Sequence, residues 1–227
     1  MRPDDSDKSS DSDWDDPSEL DWSEFDWEKY LREQDEVLLR YLGFYGLLRD
    51  HPQRLDEVAK LMGWDVEAWN AALEEDDEEE DEADETDESL QPYTLQKNPV
   101  YVATQALFLS LTRPWEILTE KNRQLVAADT MPYLAALYRS QQQCLHAVQA
   151  LDFGDFTMAV SLLKRTLREL NDALARLPQQ LALPDYPSFR EDATRRLFDL
   201  REVCLRVMGE CRYEATRPAD SEEDEGK

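Results

Sequence analysis

Residues 74–88 carry thirteen acidic side chains and no basic one. Such a stretch cannot be buried, because each charge would need its own partner, and its like charges repel one another and extend the backbone. It therefore divides the chain. Residues 1–95 hold 8 Lys and Arg against 33 Asp and Glu, whereas residues 96–216 hold 15 against 14. The second part is nearly neutral and rich in Leu, Ala, Val and aromatics, so the principal core is expected there.

The apolar spacing in that part is helical. Four helices are predicted, over 99–122, 132–151, 155–177 and 188–214. In the third, Phe156, Val160, Leu163, Leu167, Leu170, Leu174 and Leu177 alternate steps of four and three, the seam of a coiled-coil-like helix. In the second, Leu134, Leu137, Gln141, Cys144, Val148 and Leu151 do the same, placing polar Gln141 at a core position where it would fix register. Asn98-Pro99 forms an N-cap and first-turn pair. Pro114 is expected to kink the first of these helices, because it has no N–H to give Ser110. The short link Asp152-Phe153-Gly154 makes the second and third helices antiparallel neighbours, and an up-down four-helix bundle buries all four.

Ahead of the bundle, a helix is predicted over 24–49, with Trp27, Tyr30, Leu31, Leu38, Tyr41 and Tyr45 on one stripe and His51-Pro52 ending it. Residues 54–73 resemble a short helix-turn-helix pair with the turn at Gly63. The fold class is thus all-α. A disordered acidic tail (1–20) precedes a small helical region (21–73), a disordered acidic linker (74–96), the bundle (97–214) and a disordered acidic tail (215–227).

Several function classes find no support. No uninterrupted apolar run is long enough for a membrane span, and the N-terminus lacks the apolar segment of a signal peptide. Cys144, Cys204 and Cys211 fall in apolar helical patterns and read as reduced core thiols, so a cytoplasmic protein is expected. Cys144 is placed to approach one of the other two across the bundle. A di-iron bundle needs Glu-x-x-His on two helices; the two histidines, His51 and His146, do not follow a Glu at that spacing. Phosphate-binding glycine loops and serine nucleophile elbows are absent. No catalytic residue, metal or cofactor is assigned.

What remains is binding. Three Asp-Trp pairs, ending in Trp14, Trp22 and Trp27, lie within fifteen residues. Large aromatics in an acidic arm suit a linear motif that docks on a protein partner, a basic one by charge, or on the protein's own bundle. Arg190, Arg201 and Arg212 are eleven apart, close to three helical turns, and form a basic stripe on the last helix, a docking face for an acidic partner, of which the chain's own residues 74–88 are the nearest. The expected function is a non-enzymatic adaptor, scaffold or regulator using the arm, the stripe, or both. Direct nucleic-acid binding is not expected, since residues 65–73 contain no Lys or Arg. The alternatives are an acidic segment that competes with nucleic acid for a basic partner, a bundle holding a small apolar ligand beside Pro114-Trp115, and a homodimer through the leucine seam.

Overall fold

The computed structural model describes residues 22–64, 94–122, 125–178, 181 and 183–216. Among them it holds six α-helices and no strand. They are α1 (Glu24–Leu47), α2 (Arg54–Leu61), α3 (Pro99–Lys121), α4 (Ala127–Asp152), α5 (Phe156–Arg176) and α6 (Tyr186–Thr216), with a 3-10 turn at Leu95–Lys97. The predicted tail over 1–20 with Trp14, the short helix over 65–73, the linker up to residue 93 and the tail beyond residue 216 lie outside the described residues.

Local chemistry sets the ends of these helices. Asn98 caps α3 by accepting from the backbone N–H of Val100 at 2.9 Å and of Tyr101 at 3.3 Å. Asp155 caps α5 by accepting from Met158 N–H. Gly154 has φ +71°, which only glycine adopts freely. It donates to the Leu151 carbonyl while Asp155 donates to Ala150. This Schellman closure of α4 runs directly into the cap of α5 and folds the two helices back on each other. Gly63, at φ +75°, ends α2 in the same way.

Helices α3 to α6 close into a ring, with α3 against α4, α4 against α5, α5 against α6, and α6 against α3. The leucine seam of α5 is interior: Leu163, Leu170 and Leu177 are buried, while Val160, Leu167 and Leu174 are half-buried. Ala159, Thr166 and Ala173, each seven residues apart, are buried beside them, and α4 and α5 pack most closely of any pair. Small side chains at one level of the heptad permit that approach. One end of the bundle is filled by Trp115, whose ring lies 4.9 Å from that of Tyr133, 5.5 Å from Phe189 and 6.5 Å from Tyr186.

Two details differ from expectation. Helix α4 starts at Ala127, five residues before Pro132. Pro132 is the sixth residue of the helix, past the four whose N–H groups lack intrahelical partners, so the helix runs through it at the loss of the bond to the Ala128 carbonyl. The buried line of α4 runs through Tyr133, Ala136, Leu137, Ser140, Cys144, Ala147 and Val148, which leaves Gln141 at the edge. There its amide donates to Gln105 Oε1 at 2.7 Å, joining α3 to α4. Gln141 therefore bridges two helices from a half-buried position.

The first two helices lie on the bundle. Tyr41, Tyr45 and Val58 belong to the same apolar core as Leu107 and Leu197. Tyr41 stacks on Tyr45 at 6.4 Å and on Trp64 at 5.8 Å. Among the described residues, no helix is long and apolar enough to cross a membrane.

Candidate interaction surfaces

The start of α1 is held by a capping box. Ser23 N–H donates to Asp26 Oδ2 at 3.0 Å, and the Ser23 hydroxyl faces the Asp26 backbone N–H at 3.4 Å. Hydrogen bonds from Ser23 hold the Asp26 carboxyl below the usual carboxylate range. This cap fixes three rings together. Trp22 lies 4.9 Å from Trp27 and 5.7 Å, edge-on, from Tyr30. Tyr30 is buried and its hydroxyl meets that of Thr94, tying the cluster to the segment before α3. Trp22 is half-buried, whereas Trp27 is 41% and Phe25 75% exposed. The structure thus brings two of the predicted aromatics together at one end of α1 and leaves apolar surface there.

The predicted basic stripe is uneven. Arg190 and Arg201 are half-buried and Arg212 is exposed. The Arg201 guanidinium lies over the Phe198 ring, 5.3 Å from its centroid, a cation–π contact.

A different stripe of α6 carries the strongest polar contacts. Asp192, Arg195, Asp199, Glu202 and Arg206 step by three and four, so they share one face. That face meets α1, α2 and the link between them. Arg49 reaches Asp192 at 3.5 Å, and Arg195 reaches Asp50 at 3.8 Å. Arg206 pairs with Asp56. At the centre Asp199 is buried, and it accepts from Arg54 Nε at 2.7 Å, from a second nitrogen of the same guanidinium, and from the Tyr45 hydroxyl. Burial, then the Asp199 hydrogen bond, push the Tyr45 phenol well up, so it stays a donor at any physiological pH. The sequence signal for this clamp was the run of mixed charge at three–four spacing, which the eleven-residue arginine spacing obscured.

The Asp56 pair sets a pH dependence. The hydrogen bond from Arg206 holds Asp56 below the usual carboxylate value of 3.8. A depressed carboxylate contributes stability above its unfolded pKa and loses it as pH falls through the folded one. Arg206→Met is therefore expected to be less stable than the parent at pH ~6, with the gap closing below about pH 3. Both partners are over a third exposed, so the gap is small; urea melts across pH measure it, and a pH-independent gap would assign it to lost packing.

The cysteines are core residues. The Cys144 thiol shares a hydrogen bond with that of Cys204 across the bundle, and both are buried. That bond, with burial, pushes the Cys204 thiol well up.

Comparison with protein-family models, with curated proteins and with solved structures finds no match. Function is therefore read from this chain's own residues.

Proposed function

We propose that this protein is a non-enzymatic interaction module, in which a rigid helical bundle presents the acidic–aromatic start of α1 to a basic protein partner. The observation that carries the reading is the exposure of Phe25 and Trp27 on a helix start held in place by a capping box and by Tyr30. Large aromatics on a preorganised element lose little entropy on binding, and they are the residues that most often dominate an interface. Glu24, Asp26 and Glu28 lie among them and favour a cationic partner. The strongly perturbed phenols, Tyr41, Tyr45, Tyr133 and Tyr186, lie within the core, where burial is the first cause of each shift. They serve packing rather than chemistry.

The test is capture on the full chain beside a variant carrying Trp22→Ala, Phe25→Ala and Trp27→Ala. The expected result is a basic protein retained at ~50 mM salt, released at ~500 mM, and recovered several-fold less on the variant. Equal recovery on both baits would remove the α1 start from the interface. Melting curves of both proteins accompany the capture, since the three side chains lie away from the bundle core.

A further inference from the structure

Helix α1 does not cover α3 along its whole length. Its first half follows α3, with Tyr30 against Thr94, and Asp35 and Leu38 beside Tyr101. Near its end Tyr45 meets Asp199 of α6, and the link that follows sets Arg49 against Asp192. An open groove of about 700 Å³ lies between α1, the second half of α3 and the start of α6. Its walls are Leu109, Pro114, Ile117 and Leu118 of α3 with Leu39 and Leu42 of α1, and Phe189 of α6 completes the lining.

We infer that this groove docks an amphipathic helix of a protein partner, apolar on one face and flanked by carboxylates. The inference rests on the reading of the chain as an interaction module, but uses a surface separate from the aromatic end of α1.

Openness selects the occupant. Leu39, Leu109 and Ile117 remain 61%, 40% and 39% exposed, so the groove lies open to solvent. A small-molecule site encloses most of its ligand, whereas an amphipathic helix needs cover on one face only. The α3 wall runs from Leu109 to Asn122, ~20 Å at 1.5 Å per residue, the length of a helix of three to four turns. Charge selects its flanks. Of the ionisable side chains lining the groove, Arg113 and Lys121 are cations and Asp185 is the one carboxylate. Arg113 has only a loose contact to Glu116, at 3.6 Å, and Lys121 forms no ion pair among the described residues. The two cations stand eight residues apart, ~12 Å along α3, which matches carboxylates about two turns apart on a docked helix.

Trp14, the aromatic ahead of α1, does not fit. Trp14 is eight residues from Trp22, a reach of at most ~29 Å, while Leu39 lies ~25 Å along α1, so Trp14 would arrive only taut at the near edge.

The probes are two fluorescein-labelled helical peptides of ~16 residues with leucines at i, i+4, i+7 and i+11. One carries Glu two turns apart on the flank, and the other carries Lys at the same places. Anisotropy with the full chain at ~50 mM salt should show the Glu peptide binding at micromolar Kd and the Lys peptide at least ~10-fold weaker. Ile117→Asp should weaken the Glu peptide at least ~10-fold with the melting midpoint within ~2 °C, since this side chain is already partly in water. Arg113→Glu with Lys121→Glu should reverse the preference. The triple aromatic variant should leave all of this unchanged, so failure here and failure of the α1 interface are told apart. A photo-crosslinker in place of Ile117 identifies the occupant. Attachment to the Glu peptide supports the proposal; attachment instead to another segment of this chain, or to a second copy, overturns it. Equal binding of the two peptides, or an unaffected Ile117→Asp, overturns it as well.

Discussion

Leu170→Asp is expected to abolish the cooperative thermal transition of the protein. Leu170 is 0% exposed in the middle of α5, within the same core as Leu163, Ala173, Leu107 and Leu197. Truncation alone, as in Leu170→Ala, costs about 2–5 kcal/mol through lost transfer energy and the cavity left behind. The aspartate adds a charge among apolar neighbours with no cation to meet it, and must either stay ionised at a large cost or take up a proton. A domain stable by about 5–15 kcal/mol has little to set against the sum. Circular dichroism during heating should show one transition for the parent, a lower one for Leu170→Ala and none for Leu170→Asp near neutral pH. Burial raises the aspartate pKa, so part of the loss should be recovered as pH falls below about 5. Leu205→Asp, on an exposed position of α6, should melt close to the parent. A Leu170→Asp protein with the parental midpoint would place the α5 seam in solvent.

The leucine seam was legible because Leu at steps of three and four is dense in information: few faces other than a buried one hold seven large apolar residues in order. The end of α4 and the start of α5 were legible for a similar reason, since Gly154 and Asp155 each have one strong local role. The α4 core was misread where its buried residues are small. Ser140 and Ala147 carry little hydrophobic signal, so Gln141, one place along and in step with Leu134 and Leu137, stood in for Ser140. Burial there follows from how closely α5 approaches, through Ala159, Thr166 and Ala173, and no residue of α4 encodes that distance. The start of α1 was visible as a cluster of aromatics, but its exposure was not. Periodicity says which side chains share a face, and only the neighbouring helices decide how much of that face is covered. The groove beside Ile117 has the same origin. Helix α3 reads as apolar on more than one side, and α1 leaves the second half of its outer face partly open.

Asp199 ties α1 and α2 to α6 through Tyr45 and Arg54. Asp199→Ala is expected to cost about 3–5 kcal/mol, more than most single polar substitutions, because it strands the Arg54 guanidinium in a largely buried site and leaves the Tyr45 hydroxyl without its acceptor. At 2% exposure the carboxylate is shielded from added salt, so the loss should persist at ~0.5 M salt, unlike that of the exposed Asp56–Arg206 pair. Replacing the whole set, with Asp199→Leu, Arg54→Met and Tyr45→Phe together, should recover most of the stability, since a buried ion pair repays little beyond its own desolvation. Urea melts of the single and triple variants measure both effects, and hydrogen exchange locates them. Amides of α1 and α2 should lose protection in Asp199→Ala well before those of α4 and α5, because the ring of four helices does not depend on the clamp. The triple variant separates two roles. If it is stable but binds the Glu-flanked peptide more weakly, the polar clamp serves to aim α1 and hold the groove open. If it binds as the parent does, apolar packing of Tyr41, Tyr45 and Val58 suffices to set that angle. A single-variant loss below about 1 kcal/mol would mean that Asp199 and Arg54 are hydrated in solution and that α1 is held by its apolar face alone.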